Sequence, residues 1–315
     1  MITKDDIQQA HERIRGQIHR TPLLTSVRLG AKAGELTLYF KCECFQRTGS
    51  FKARGALNAM LQLTSAERTR GVVTVSAGNH AQAVAWAASR VGADCITVMP
   101  EGASPTKVAA TEGYGGTVHI EPGERKRAFE RAEAIAAEGR VMVHPFEDER
   151  VAAGQGTVAL ELLEQWPEVE AVVVPIGGGG LISGMATAIK AARPDVKVIG
   201  VEPVGAPTMR ASLDAGAPQN IATKTVADGL AAPMVGAMTL RTVQEHVDDV
   251  VLVTDDEIVA AMKDILSYSK LVVEPAGAAA FAALAADKAG LAAGSRVVAV
   301  ISGGNVDLQR LKELL

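Results

Sequence analysis

Lys52 stands in an unusual local setting. It lies in the stretch Phe40-Lys41-Cys42-Glu43-Cys44-Phe45-Gln46-Arg47-Thr48-Gly49-Ser50-Phe51-Lys52-Ala53-Arg54-Gly55-Ala56. Leu36 to Cys42 predicts a strand, and Phe51 to about Gln62 predicts a helix. The lysine then falls in the first helical turn, where the aligned amide dipoles disfavour a cation. It is easier to keep there as a neutral amine, which is the form that condenses with an aldehyde. Taken alone, the position also suits a solvated surface lysine.

A second stretch narrows the chemistry. Ala171 to Ile176 predicts a short apolar strand, Gly177-Gly178-Gly179-Gly180 follows, and Leu181 to Ala192 has a helical pattern. Glycines between a strand and a helix let backbone N–H groups surround an anion at the helix N-terminus. The nucleotide-binding templates fail here. Met185 stands where a P-loop needs lysine, and Ile182 and Ser183 stand where G-x-G-x-x-G needs its last glycine. What remains is a phosphate cradle without dinucleotide spacing, or a tight turn alone. An imine-forming lysine together with a phosphate cradle points to pyridoxal 5'-phosphate, which carries both an aldehyde and a phosphate.

Five motifs in order carry a resemblance over nearly the whole chain. They are Ser50-Phe51-Lys52, Ser76-Ala77-Gly78-Asn79-His80, the tetraglycine, Glu274-Pro275-Ala276-Gly277 and Ser302-Gly303-Gly304-Asn305. The chain resembles the threonine/serine dehydratase and serine racemase family of fold type II pyridoxal-phosphate enzymes. The resemblance implies a tryptophan-synthase-β-like α/β fold, with two parallel-type sheets covered by helices. It also implies that Lys52 holds the cofactor as an imine and moves protons at the substrate's α-carbon; Phe51 before it suits either packing on the cofactor side or a place in the core. Gly177, Gly178, Gly179, Gly180 and the Leu181 amide would bind the phosphate. Asn79 would donate to the cofactor's ring oxygen, the Gly229 backbone would approach the cofactor, and the Ser302 hydroxyl would meet the pyridine nitrogen. A neutral hydroxyl enforces ring protonation less than an aspartate would, giving a milder electron sink that favours prompt expulsion of a β-substituent. Glu274 would act electrostatically or as a structural acid. Ser76, Ala77, Gly78, Asn79 and His80 would surround the substrate, with backbone amides on its carboxylate. For Asn79 a helix-capping role stays open, and His80 is assigned no proton transfer.

The activity so implied is elimination of water from an L-3-hydroxy amino acid, threonine or serine or a bulkier one, giving a 2-oxo acid and ammonia. An amino-acid racemase on the same scaffold is the main alternative, and a non-catalytic phosphate-ligand binder a remote one. Racemases of this family carry serine at the position of Ala77. A methyl group cannot carry the second proton that racemisation needs. The apolar run Leu230 to Met234 argues against 3-hydroxyaspartate, whose second carboxylate wants a cation. A family cation site is matched by Glu202 and Ala206, but Thr208 replaces its aspartate. The loss of a charged ligand from a hard-cation site predicts little magnesium dependence.

Apolar strands alternating with amphipathic helices give the α/β signature. One set of strands runs between Gly71 and Val143. A second begins near Gly154 and must include the N-terminal strand. The expected organisation is a large cofactor-binding domain from residues 1–66 and 148–315, a small domain at 67–147, and no C-terminal regulatory domain. With 315 residues the chain can bury a large core. A formal charge of −4 without a basic cluster argues against nucleic acid. The polar start Met1-Ile2-Thr3-Lys4-Asp5-Asp6 and the lack of a long apolar run argue against a signal peptide and a membrane span. Cys42, Cys44 and Cys95 make neither a disulfide framework nor a zinc set. A cytoplasmic homodimer acting on a small amino acid is expected.

Overall fold

The computed structural model describes residues 1–123 and 125–315. Its strands are β1 (Leu23–Thr25), β2 (Thr37–Cys42), β3 (Val72–Val75), β4 (Cys95–Pro100), β5 (Thr117–Glu121), β6 (Val141–Met142), β7 (Ala171–Pro175), β8 (Lys197–Pro203), β9 (Asp249–Val253) and β10 (Arg296–Ile301). They form two sheets. One has the order β1-β2-β10-β7-β8-β9, the other β5-β4-β3-β6. Every pairing is parallel except the short edge strand β1, which runs antiparallel to β2. The two-sheet α/β architecture expected from the resemblance is present.

Strand β7 shows why these runs are apolar throughout. Helices cover both faces of a parallel sheet, so every residue of Ala-Val-Val-Val-Pro is buried. Alternate side chains go to opposite faces. Ala171 and Val173 join the core containing Phe40 and Phe281, while Val172 and Val174 join the one containing Ile182 and Met185. In open α/β sheets, ligands bind beyond the carboxyl ends of the strands. Both sheets lead their motifs to such ends. Ser76 follows β3, Gly177 follows β7 after Ile176, and Ser302 follows β10 directly. Lys52 opens the helix Lys52–Leu61 beyond β2. Among the described residues no helix is long and apolar enough to cross a membrane.

Candidate active site

The turn that delivers Lys52 is stitched to the loop after β10. Phe51 N–H donates to the Ser302 carbonyl at 3.1 Å, and Gly304 N–H donates to the Gly49 carbonyl at 2.9 Å. Glu274 N–H donates to the Gly303 carbonyl at 3.2 Å, bringing a third motif to the same loop. The chain reaches Lys52 through a left-handed pair, Thr48 with φ 59° and Gly49 with φ 73°. A side chain at Gly49 would also collide with Asn305.

Lys52, the Ser76–His80 turn, the tetraglycine, Gly229, Glu274 and Ser302 all line one cavity. Within it the Lys52 amine donates to the Pro145 carbonyl at 2.8 Å and lies 5.1 Å from the centre of the Phe51 ring. Among the described residues no carboxylate pairs with it. Some of its surface still opens to the cavity, but the surrounding protein is dense, and burial alone lowers its pKa to about 8. The histidines beside it stay neutral. Burial, and then the nearby Lys52 charge, holds His80 well below its ordinary pKa. Burial lowers His144 to about 4, with Asp148 opposing and Lys52 assisting. The Phe146 and Glu147 amides donate to His144 Nδ1 at 3.3 and 2.9 Å.

The glycine loop ends at the helix Gly180–Ala192. The first amides of that helix lack intrahelical acceptors and face the start of its dipole. Glycine is obligatory for two separate reasons. Gly179 has φ +94°, and a Cβ on Gly178 would sit 2.1 Å from the Phe146 ring. Gly177 lies against Gly229, whose carbonyl is 3.1 Å from where a Gly177 Cβ would be. Ser302 is buried, with its Oγ 3.4 Å from the Ala276 carbonyl. Asn79 is the first residue of its helix, and Gly78 occupies the capping position. Its amide instead bridges two other motifs, donating to Glu274 Oε1 at 2.5 Å and accepting from Asn305 at 2.8 Å. Burial raises the Glu274 pKa to about 7, Lys107 and the Asn79 hydrogen bond pull it down, and Asp228 pushes it up.

A model of the pyridoxal-phosphate dependent enzyme family matches residues 14–303. The chain belongs to that family. An L-threonine ammonia-lyase of Thermotoga maritima is 44% identical, with 100% of this chain and 78% of that one covered. A serine racemase of Arabidopsis thaliana is also 44% identical, over 97% of this chain and 93% of the other. The solved structure of maize serine racemase superposes with a TM-score of 0.93 at 41% identity, covering 99% and 96% of the two chains. Family membership removes the non-catalytic phosphate binder from consideration. The side chains present also fit pyridoxal phosphate on their own geometry. A glycine loop that excludes a Cβ at Gly178 and Gly179, an amine whose pKa burial lowers and a buried hydroxyl converge on one cavity.

Glu202 lies apart from that cavity. Its carboxylate accepts from the Met209 and Arg210 amides at 2.7 and 2.8 Å, which open the helix Thr208–Ala215. Burial raises its pKa to about 7, with the amides of Met209, Arg210 and Thr208 opposing. Ala206 is buried nearby, and Thr208 Oγ1 donates to the Ala232 carbonyl at 2.7 Å. Among the described residues no cluster of three His, Cys, Asp or Glu side chains could hold a metal ion.

Pro145, Phe146 and Lys107 line the site without having been picked out by the sequence reading. Lys107 carries the signal that singled out Lys52, a cation in a first helical turn, here in the helix Pro105–Gly113. It also supplies the cavity with the cation that the run Leu230 to Met234 lacks.

Proposed function

We propose that this enzyme removes water from an L-3-hydroxy amino acid, threonine or serine, to leave a 2-oxo acid and ammonia. The observation that carries the reading is a single cavity lined by both the proton-carrying Lys52 and the methyl group of Ala77. Pyridoxal phosphate, when bound, supplies an electron sink for the substrate's α-carbon. The chain supplies the rest. Gly177 to Gly180 and the Leu181 amide would hold the phosphate, and Ser302, Asn79 and Gly229, which line the same cavity, would hold the ring. The amides opening the helix Asn79–Val91 receive the substrate carboxylate. Burial lowers the pKa of the Lys52 amine to about 8, so it gives up its proton more readily than an exposed lysine, and in its neutral form it takes the α-proton.

Threonine ammonia-lyases at 44% identity support this reading. Equally similar serine racemases favour a second one, amino-acid racemisation. That reaction needs a second proton carrier, and Ala77 provides none. In the same reading residues 67–147, which contain β3 to β6, form a small domain set into a cofactor-binding domain of residues 1–66 and 148–315. The enzyme works as a cytoplasmic homodimer, for which the exposed Val27 and Tyr268, on elements packed together, offer apolar surface.

Chiral chromatography combined with an oxo-acid assay tests the proposal. Oxo acid from L-threonine or L-serine with negligible D-product is expected. Ala77→Ser should introduce D-product. Substantial conversion of L- to D-amino acid by the unaltered enzyme would replace the elimination reading with the racemase one.

A further inference from the structure

We infer that Lys107 and Asp228 form a charge gate at the mouth of the cavity, in which Asp228 occupies the place of a second substrate carboxylate and thereby sets the enzyme against dicarboxylic amino acids. This rests on the reading above that the cavity takes an amino acid by its carboxylate.

The two residues come from opposite walls. Lys107 lies on the helix Pro105–Gly113, among the strands of the four-stranded sheet, and Asp228 opens the short turn Asp228–Leu230 beside Gly229. Their ammonium and carboxylate meet at 2.5 Å. Both line the cavity, and Lys107 is largely shielded, its side chain retaining 16% of its exposure. The Lys107 amine lies against the turn assigned to the substrate carboxylate, 3.5 Å from where a Cβ on Gly78 would stand.

A shielded cation at a binding site needs a counter-charge. Here the protein provides it from within. Glu274 faces the same pair, so a further carboxylate entering the mouth would meet Asp228 and Glu274 with Lys107 already engaged. A monocarboxylic substrate places one negative charge on the Ser76–Asn79 turn and leaves the pair intact. Without the Asp228 charge, Lys107 becomes the natural partner of a second carboxylate a few ångströms from the first. An aspartate in the protein and a carboxylate on the substrate are thus competitors for one ammonium group.

The test is calorimetric titration of the holoenzyme with succinate and, as a one-carboxylate control, butyrate. Neither has an amine to displace Lys52, so binding is read without turnover. Asp228→Asn should tighten succinate relative to butyrate by about tenfold, the scale of one charge-assisted hydrogen bond. Adding Lys107→Met to Asp228→Asn should erase the gain. Lys107→Met alone should weaken succinate relative to butyrate, and it keeps the inference testable if the Asp228 variant does not fold. An unchanged succinate-to-butyrate ratio in these variants, or a gain that survives the loss of Lys107, overturns the gate. Oxo-acid formation by the unaltered enzyme is a separate measurement. If it is absent while the ratio shifts as expected, the elimination reading falls and the gate stands.

Discussion

Lys41 and Lys52 are close in sequence, yet the molecule treats them in opposite ways. Lys41 is wholly buried on β2 and donates to Glu161 at 2.7 Å, the Thr21 carbonyl at 2.9 Å and Gln165 at 3.0 Å. Arg54 joins the same network. It pairs with Glu43 at 2.8 Å and with Glu161 at 2.7 Å, so two cations face two carboxylates with almost no water. Burial lowers the Lys41 pKa, and Glu43 and Glu161 pull it back up. Among the described residues Lys52 receives no such partner. One carbonyl accepts its proton, and burial acts on it unopposed. Counter-charge holds a buried lysine in its charged form, while burial without it favours the neutral amine, as the role proposed for Lys52 requires. Arg54, two residues beyond Lys52, ties the charged network to the helix that presents Lys52. The tethers are Glu43 after β2 and Glu161 on the helix Glu149–Gln165.

The contrast is broken most severely at Lys52. Lys52→Ala should lower oxo-acid formation by roughly a thousandfold or more, since the proposed function gives this one group both imine formation and proton transfer. The melting temperature should change little, and phosphate should still bind the untouched cradle. Near-normal turnover would refute the assignment. The charged network should show the reverse pattern. Arg54→Met leaves Glu43 and Glu161 facing Lys41 alone, and an uncompensated buried charge costs about 3–5 kcal/mol. Scanning calorimetry should show a marked fall in melting temperature, and an unchanged value would mean that the network carries no stability.

The smallest expected effect is a pH dependence at Glu274. Its folded pKa, about 7, lies above the ordinary 4.5. The folded protein therefore keeps a proton that the unfolded chain loses between those values. The stabilisation this gives is fully present below about 4.5 and is lost as pH rises through about 7. In cofactor-free protein, the melting temperature of the wild type minus that of Glu274→Gln should fall from pH 5 to pH 8. A flat difference would place Glu274 in a more polar setting than its burial implies.

Much of the site was legible because local sequence produces it. A strand, a run of glycine and a helix place amides around an anion whatever lies elsewhere in the chain, so Gly177 to Gly180 could be read directly. An early-helix lysine marked Lys52 in the same local way. Periodicity likewise gave the strands leading to Ser76 and Ser302, Val72 to Val75 with the observed bounds and Val297 to Ile301 one residue short at its start. The three-residue β1 was not seen, because so short an edge strand carries no usable alternation. Glu202 matched a ligand pattern in sequence, yet the fold spends its carboxylate on two helix amides.

Sequence by itself determined the periodic elements, the glycine loop between strand and helix and the early-helix position of Lys52, since each depends on residues within a few positions of one another. Tertiary structure decided the electrostatics. Whether a lysine is paired is set by carboxylates arriving from distant elements, as Glu161 does for Lys41 and Asp228 for Lys107. Charge interactions act through space and are strengthened where water is excluded, and neither proximity nor exclusion is written in local order along the chain.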